Sequence, residues 1–294
     1  MSEVSVLDNI VVVLYQPQDV VNVGSVVRVM SNFGLKKLRL VEPAAYDPYR
    51  IEGIAHHTRP IIDAIERFPS LDAALADCGF VLGATARKRG VRREYLTPRA
   101  AAKVALEAAR KGPGVPVALL FGREDNGLPN EALDNCHALI TIPTDPTNPS
   151  LNLAQAALVV AYEVWLSANP PQEAGESNVL ASGRVDAPRR AGQPPRRGET
   201  PSVTESIQAL EEDAQLATGT EREFMFKALA DLLWTLYPNT TETRVTYSMT
   251  RLRAVLLRAA PRNDEGRAIA HLFHHIAQVL RGSSRDESER EQAE

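Results

Sequence analysis

Cysteine is almost missing from this chain of 294 residues: only Cys78 and Cys136 occur, far apart and neither in a CxxC pair. That argues against a disulfide framework and against a zinc site, and it leaves both as small buried or half-buried fillers in a reducing compartment. No apolar run approaches the ~20 residues that cross a bilayer. The N-terminal MSEVSVLDNI is acidic and lacks the basic-then-apolar pattern of a signal peptide, so the chain is expected to be cytoplasmic, with no membrane partner. Neither GxGxxG after a strand pattern nor GxxxxGKS/T occurs, which removes nucleotide-dependent dehydrogenases and P-loop enzymes from consideration. A large excess of either charge sign is lacking too. A net −4 argues against a protein that coats nucleic acid indiscriminately, while leaving room for local basic patches.

What is present concentrates between Val117 and Val160, VALLFGREDNGLPNEALDNCHALITIPTDPTNPSLNLAQAALVV. It reads as an apolar strand (Val117 to Phe121), a Gly-punctuated loop, a short helix (Asn130 to Asn135) and a second strand (Leu139 to Ile142). A Pro/Asn/Asp loop then leads into a helix starting near Leu151. Two loops therefore leave the carboxyl ends of neighbouring strands. In an open α/β sheet that edge binds small ligands, because backbone N–H groups and a helix N-terminus converge there.

Upstream, NIVVVLY (Asn9 to Tyr15) is a β-branched run too short for a helix and reads as a buried strand. Asn22 is placed to cap a helix running to about Phe33, with Gly34 as its left-handed exit. Arg28 falls on the second turn of that helix, where a solvated or ion-paired side chain is the ordinary reading. Leu38 to Val41 is a further strand. His56 and His57 lie in a turn-rich segment and, being adjacent, point apart, which argues against a shared metal. Ser70 to Ala76 reads as a short capped helix and Phe80 to Gly83 as a strand. After it come Ala84, Thr85 and Ala86, then the basic run Arg87, Lys88, Arg89, Arg92 and Arg93. Small residues let backbone approach a ligand and the cations suit phosphates, with a solvated loop as the plain alternative. Thr97 and Pro98 open an Ala-rich helix that Gly112 stops.

From Ala168 the chain turns rich in Pro, Gly, Ser and Arg, so 168–204 is expected to be a flexible linker with a reach on the order of 30 Å. Apolar residues at helical spacing return over 205–281, expected as a small all-helical extension of the domain at 1–167. Its second helix carries Arg251 on a charged face suited to RNA. His271, His274 and His275 share a helix face, but no acidic residue completes a metal set, and no metal is expected. Residues 282–294 are expected to be a disordered tail.

Three segments carry a resemblance. NVGSVVR (Asn22 to Arg28), FGREDNGL (Phe121 to Leu128) and IPTDPTNPSLNLAQAALVVAYE (Ile142 to Glu163) resemble, in order, the three motifs of the SpoU/TrmH branch of the SPOUT RNA methyltransferases. The helical extension is similar to that of the TrmJ-like tRNA 2′-O-methyltransferases in that branch. The resemblance implies an α/β fold with an open, mainly parallel sheet and a deep C-terminal trefoil knot, which periodicity alone would never indicate. It also implies S-adenosylmethionine as methyl donor, tRNA as partner, and an obligate homodimer in which an arginine reaches the other subunit's donor site. By position it puts the catalytic arginine on Arg28 and active-site residues on Glu124, Ser150 and Asn152. Ala84, Thr85, Ala86, Gly122, Ile142, Pro149, Ser150 and Leu151 match positions around the donor, and Arg87 and Arg89 match positions serving tRNA. The implied target is cytidine or uridine at nucleotide 32 of the anticodon loop. Ribosomal RNA or another tRNA position is the nearest alternative; a non-catalytic RNA-binding protein of the same fold is a more distant one.

Methylating a ribose 2′-hydroxyl needs a bound sulfonium donor, an aligned hydroxyl and help with a weakly acidic proton. No histidine, lysine pair or carboxylate dyad stands out as an ordinary base. Arg28 is permanently cationic, so its expected role is to stabilise the developing oxyanion and a neighbouring phosphate. Glu124 and Ser150 also have structural readings: Glu124 can bond loop N–H groups, and Ser150 can cap the helix at Leu151.

Overall fold

The computed structural model describes residues 5–87, 93–170 and 215–291, with 282–291 described by backbone alone. Its strands are β1 (Ile10–Tyr15), β2 (Lys37–Val41), β3 (Glu66–Phe68), β4 (Phe80–Ala84), β5 (Tyr95–Leu96), β6 (Val117–Phe121) and β7 (Ala138–Ile140). They form one sheet in the order β3-β2-β1-β6-β4-β7-β5, every neighbour parallel. The inner strands are rich in Val, Leu and Ile because such a sheet is covered on both faces. Side chains alternate between two core layers: Ile10, Val12 and Leu14 of β1 enter one, Val11 and Val13 the other. Strands β3 and β5, short and at the edges, had no readable pattern.

The helices of this region are α1 (Val20–Asn32), α2 (Pro48–Ile54), α3 (Arg59–Asp63), α4 (Leu71–Leu75), α5 (Pro98–Lys111), α6 (Asn130–Leu133) and α7 (Leu153–Ala168). Helices α1, α5 and α7 cover the first layer, α4 and α6 the second. Helix α5 begins and ends where its local signals put it. The Thr97 hydroxyl caps the Ala100 N–H, Pro98 takes the first position and Gly112 the last cap. Gly34 leaves α1 at φ +68° as expected.

Two expected caps are corrected. The α1 cap is Asp19, whose carboxylate accepts from the Val21 N–H at 2.9 Å, because Asn22 is engaged elsewhere. Helix α7 starts at Leu153, not Leu151, and its cap is Asn152 rather than Ser150; Gln155 closes a capping box by accepting from the Asn152 N–H.

Three further helices follow: α8 (Gly219–Leu236), α9 (Glu242–Arg258) and α10 (Asn263–Glu291). They share a core of Met225, Phe226, Ala228, Leu257 and Ala270. The backbone of α10 stays helical to Glu291, past the Arg281 boundary at which a disordered tail was expected. Most of the expected linker falls in 171–214, outside the described residues. No helix among the described residues is long and apolar enough to cross a membrane.

Candidate active site

Parallel strands present all their carboxyl ends at one edge, and the loops after β4, β6 and β7 meet there around a cleft of about 800 Å³, counting its open mouth. Phe121, Ile140, Ile142, Leu151 and Leu153 supply apolar wall; Ala84, Thr85 and Ala86 form one side.

Each loop is held in place by its own bonds. A Cβ at Gly122 would stand 2.3 Å from the Gly127 carbonyl carbon and 2.4 Å from the Leu128 nitrogen, so glycine alone lets the loop fold back on the end of β6. The Gly127 N–H closes that fold on the Arg123 carbonyl at 2.9 Å, with Gly127 at φ +66°. The Thr85 N–H donates to Ile140 at 2.9 Å and ties the Ala84–Ala86 segment to β7. In the third loop, the Asp145 carboxylate accepts from the Thr147 hydroxyl and N–H, which hold its carboxyl below the usual range. The Thr144 hydroxyl donates to the Pro149 carbonyl at 3.2 Å, bringing Pro149, Ser150 and Leu151 to the cleft.

Glu124 joins the first and second motifs. One oxygen accepts from the Gln18 N–H (2.9 Å), the other from the Asp19 N–H (3.3 Å) and the Asn22 amide (2.9 Å). The Asn152 amide in turn donates to the Asn22 side-chain oxygen at 3.0 Å. Asn22 is thus the bridge between all three motifs, a role the sequence reading missed by treating it as a cap. Its signal was its place as the first residue of the Asn-x-Gly-x-x-x-Arg pattern.

Arg28 does not line this cleft. It is exposed on the outer face of α1, and its guanidinium donates to the His56 carbonyl at 3.1 Å. Arg87 lies at the cleft wall. Arg93, expected to face RNA, is turned inward: its side chain is 7% exposed and binds the Leu133 carbonyl and the Asp134 carboxylate at the end of α6. Its long stem and forked donors suit that anchoring as well as they suit a phosphate. Arg89 and Arg92 lie outside the described residues. Arg251 is exposed, 4.7 Å over the Tyr247 ring. Among the described residues no three His, Cys, Asp or Glu side chains are grouped to hold a metal. His274 instead shares a hydrogen bond with Gln278 at 2.9 Å, and His271 meets the Phe224 ring edge-on.

Residues 9–162 match the SpoU rRNA Methylase family. The tRNA (cytidine/uridine-2′-O-)-methyltransferase TrmJ of Pectobacterium atrosepticum is 38% identical over 170 residues, 58% of this chain and 69% of that protein. TrmJ of Escherichia coli K12 is 39% identical over the same length, 58% of this chain and 68% of that one. The crystal structure of TrmJ from Z. mobilis superimposes with a TM-score of 0.67 at 26% identity, covering 90% of this chain and 98% of that one. With its three motifs assembled by one hydrogen-bonded chain at the strand ends, and with this match across them, the protein belongs to the SpoU rRNA Methylase family.

Proposed function

We propose that the protein transfers a methyl group from S-adenosylmethionine to a ribose 2′-hydroxyl of tRNA, at nucleotide 32 of the anticodon loop. The observation that carries this is the convergence of the Ala84–Ala86, Gly122–Gly127 and Pro149–Leu151 segments on one cleft. Its apolar walls and the loop backbone brought in by Gly122 fit an adenosyl group. Bound there, the donor supplies an electrophilic methyl on a sulfonium centre.

The protein's share is binding and alignment. Ala84, Thr85, Ala86, Ile142 and Leu151 flank the donor and keep water from it, with Gly122, Pro149 and Ser150 shaping the loops. Glu124 and Asn152 act through Asn22 to hold α1 against the cleft. Arg28 stabilises the oxyanion as the hydroxyl loses its proton to a phosphate or to water. Positioning of this kind supplies roughly 7–11 kcal/mol, against about 3–5 for a good base, so the lack of an ordinary base is no obstacle.

Arg28 does not line the cleft of its own chain, and in this reading it serves the cleft of a second copy in a homodimer. Val21 on α1 and Leu158, Tyr162 and Trp165 on α7, each 37–46% exposed, support that pairing. The trefoil knot belongs to the same reading, supported by the sheet order in which β4 lies between β6 and β7. Arg87 at the cleft wall, and the exposed Arg244, Tyr247 and Arg251 on α9, contact RNA through phosphates and stacking. The family description names rRNA and the relatives tRNA, so one assay decides. The protein is incubated with isotope-labelled donor and either tRNA or ribosomal RNA, and ribose methylation is mapped by mass spectrometry. Label at nucleotide 32 of tRNA is the expected result; label in ribosomal RNA alone overturns the assignment.

A further inference from the structure

A long Pro- and Gly-rich stretch before the last three helices suggests a tethered module, but the contacts where those helices begin are those of a fixed joint. The N-terminus of α8 abuts the carboxyl end of α4. The Thr220 N–H and hydroxyl both donate to the Ala76 carbonyl, at 2.9 and 3.1 Å. A Cβ on Gly219 would sit 2.1 Å from the Leu75 carbonyl oxygen, so only glycine permits this approach. One turn on, Arg222 is 4% exposed and points a single guanidinium nitrogen at three carbonyls: Cys78 at 3.0 Å, Gly79 at 2.9 Å and Ala217 at 2.6 Å. No carboxylate forms an ion pair with it among the described residues. Burial draws its guanidinium down to about 10, which still leaves it charged at neutral pH.

The same joint extends into the main core. Leu216, 2% exposed, and Ala260, 1% exposed, belong to the core layer that covers the sheet. Leu216 pairs with Arg262, and Ala217 and Asn263 bond across to Pro261 and Gln215, both at 2.9 Å. Both ends of the α8–α9 hairpin are therefore tied together where they meet the sheet. Two of the carbonyls that Arg222 holds, those of Cys78 and Gly79, belong to the turn that launches β4, and β4 ends in the cleft wall at Ala84.

We propose that Gly219 and Arg222 are positioning residues that lock the helical arm onto the sheet of its own chain, so that Arg244, Tyr247 and Arg251 stand at one set distance from the cleft. The docking stands on the contacts alone; its consequence for substrate rests on the RNA reading given above.

The test uses the full chain with a protease site placed between residues 171 and 214. After complete cleavage, the two pieces are expected to co-elute in gel filtration at equal stoichiometry, and to separate when Gly219→Leu or Arg222→Ala is present. Separation with Gly219 and Arg222 intact, or continued co-elution of both variants, overturns the docking. In the uncut chain, Gly219→Leu is expected to raise the KM for tRNA about tenfold through loss of the arm's effective concentration. Turnover at saturating tRNA and affinity for the methyl donor stay as in the parent, which also shows that the variant folds. Arg222→Lys, which retains the charge and part of the bonding, is expected to fall between the parent and Arg222→Ala. A drop in turnover with KM unmoved overturns the positioning role. Co-elution of a parent chain that fails to methylate tRNA would instead tell against the functional reading and leave the docking supported.

Discussion

Replacing Gly122 with alanine tests the cleft at its tightest point. The added Cβ would lie 2.3 Å from one backbone atom and 2.4 Å from another, more than an ångström inside ordinary contact. Neither neighbour is the yielding tip of a side chain. Leu128, which follows them, is 1% exposed and packed in the second core layer, so the strain is relieved only by opening the loop at the cleft. Overpacking of this kind costs up to about 3 kcal/mol. If the open loop must close for the donor to bind, that is about a hundredfold in Kd. Gly127 provides the contrast. Nothing lies within 4 Å of a Cβ there, but its φ is +66°, so Gly127→Ala costs about 1 kcal/mol through conformation alone, and Gly127→Asn less. Calorimetric titration with S-adenosylmethionine beside urea unfolding reads both variants. Gly122→Ala that binds within threefold of the parent and unfolds at the same midpoint refutes the reasoning, as does greater damage from Gly127→Ala.

Other expectations follow from single residues. Arg28→Ala should lower turnover by about a hundredfold to a thousandfold, the scale of losing one oxyanion-stabilising donor, with donor affinity within twofold; equal loss of both in titration and kinetics would remove its assigned role. His137 is 3% exposed and accepts from the Val81 N–H at Nδ1; burial, reinforced by the Arg222 charge, holds its pKa well below 6.5. The unfolded chain therefore takes up a proton that the fold refuses. Stability from this group is full above about pH 7 and falls as pH drops below about 6.5 toward the lower folded-state value. Urea unfolding across that range should show the slope, and His137→Gln should flatten it. The Thr141 hydroxyl is buried without a hydrogen-bond partner among the described residues, so Thr141→Val should raise stability by about 1 kcal/mol; a lower melting temperature would refute this.

Legibility of the sequence tracked the range of the interactions. The runs in β1 and β6 announce themselves because a covered parallel strand leaves no place for polar residues, and α5 is bounded by caps that act within four residues. Where two polar residues compete at a helix start, local rules rank them equally. Asp19 and Asn22 are both good caps, and what separates them is Glu124, about a hundred positions away. At α7 the deciding signal was present, since Gln155 stands three residues after Asn152 as a capping box requires and no such partner follows Ser150. Arg93 and Arg222 show the opposite limit. Each looks like any other cation in the sequence, and only the fold brings carbonyls from 40 and more than 140 residues away to receive it.

The first motif divides its work between its ends. Asn22 is fastened to Glu124 and Asn152, so the start of α1 is fixed to the cleft of its own chain. Arg28, six residues on, is about 9 Å further along a continuous helix. A tilt at Asn22 is therefore delivered to the guanidinium as a displacement, since the intervening turns are packed by Val23, Val26 and Val27 and cannot absorb it. Anchoring a helix so firmly at one end, to present an arginine that does not line its own cleft, has little use for chemistry within that cleft. It has a clear use if the arginine must arrive at a fixed place in a second copy. In the homodimer proposed above, the hydrogen bonds at Asn22 would set the geometry of a site to which Asn22 does not itself belong.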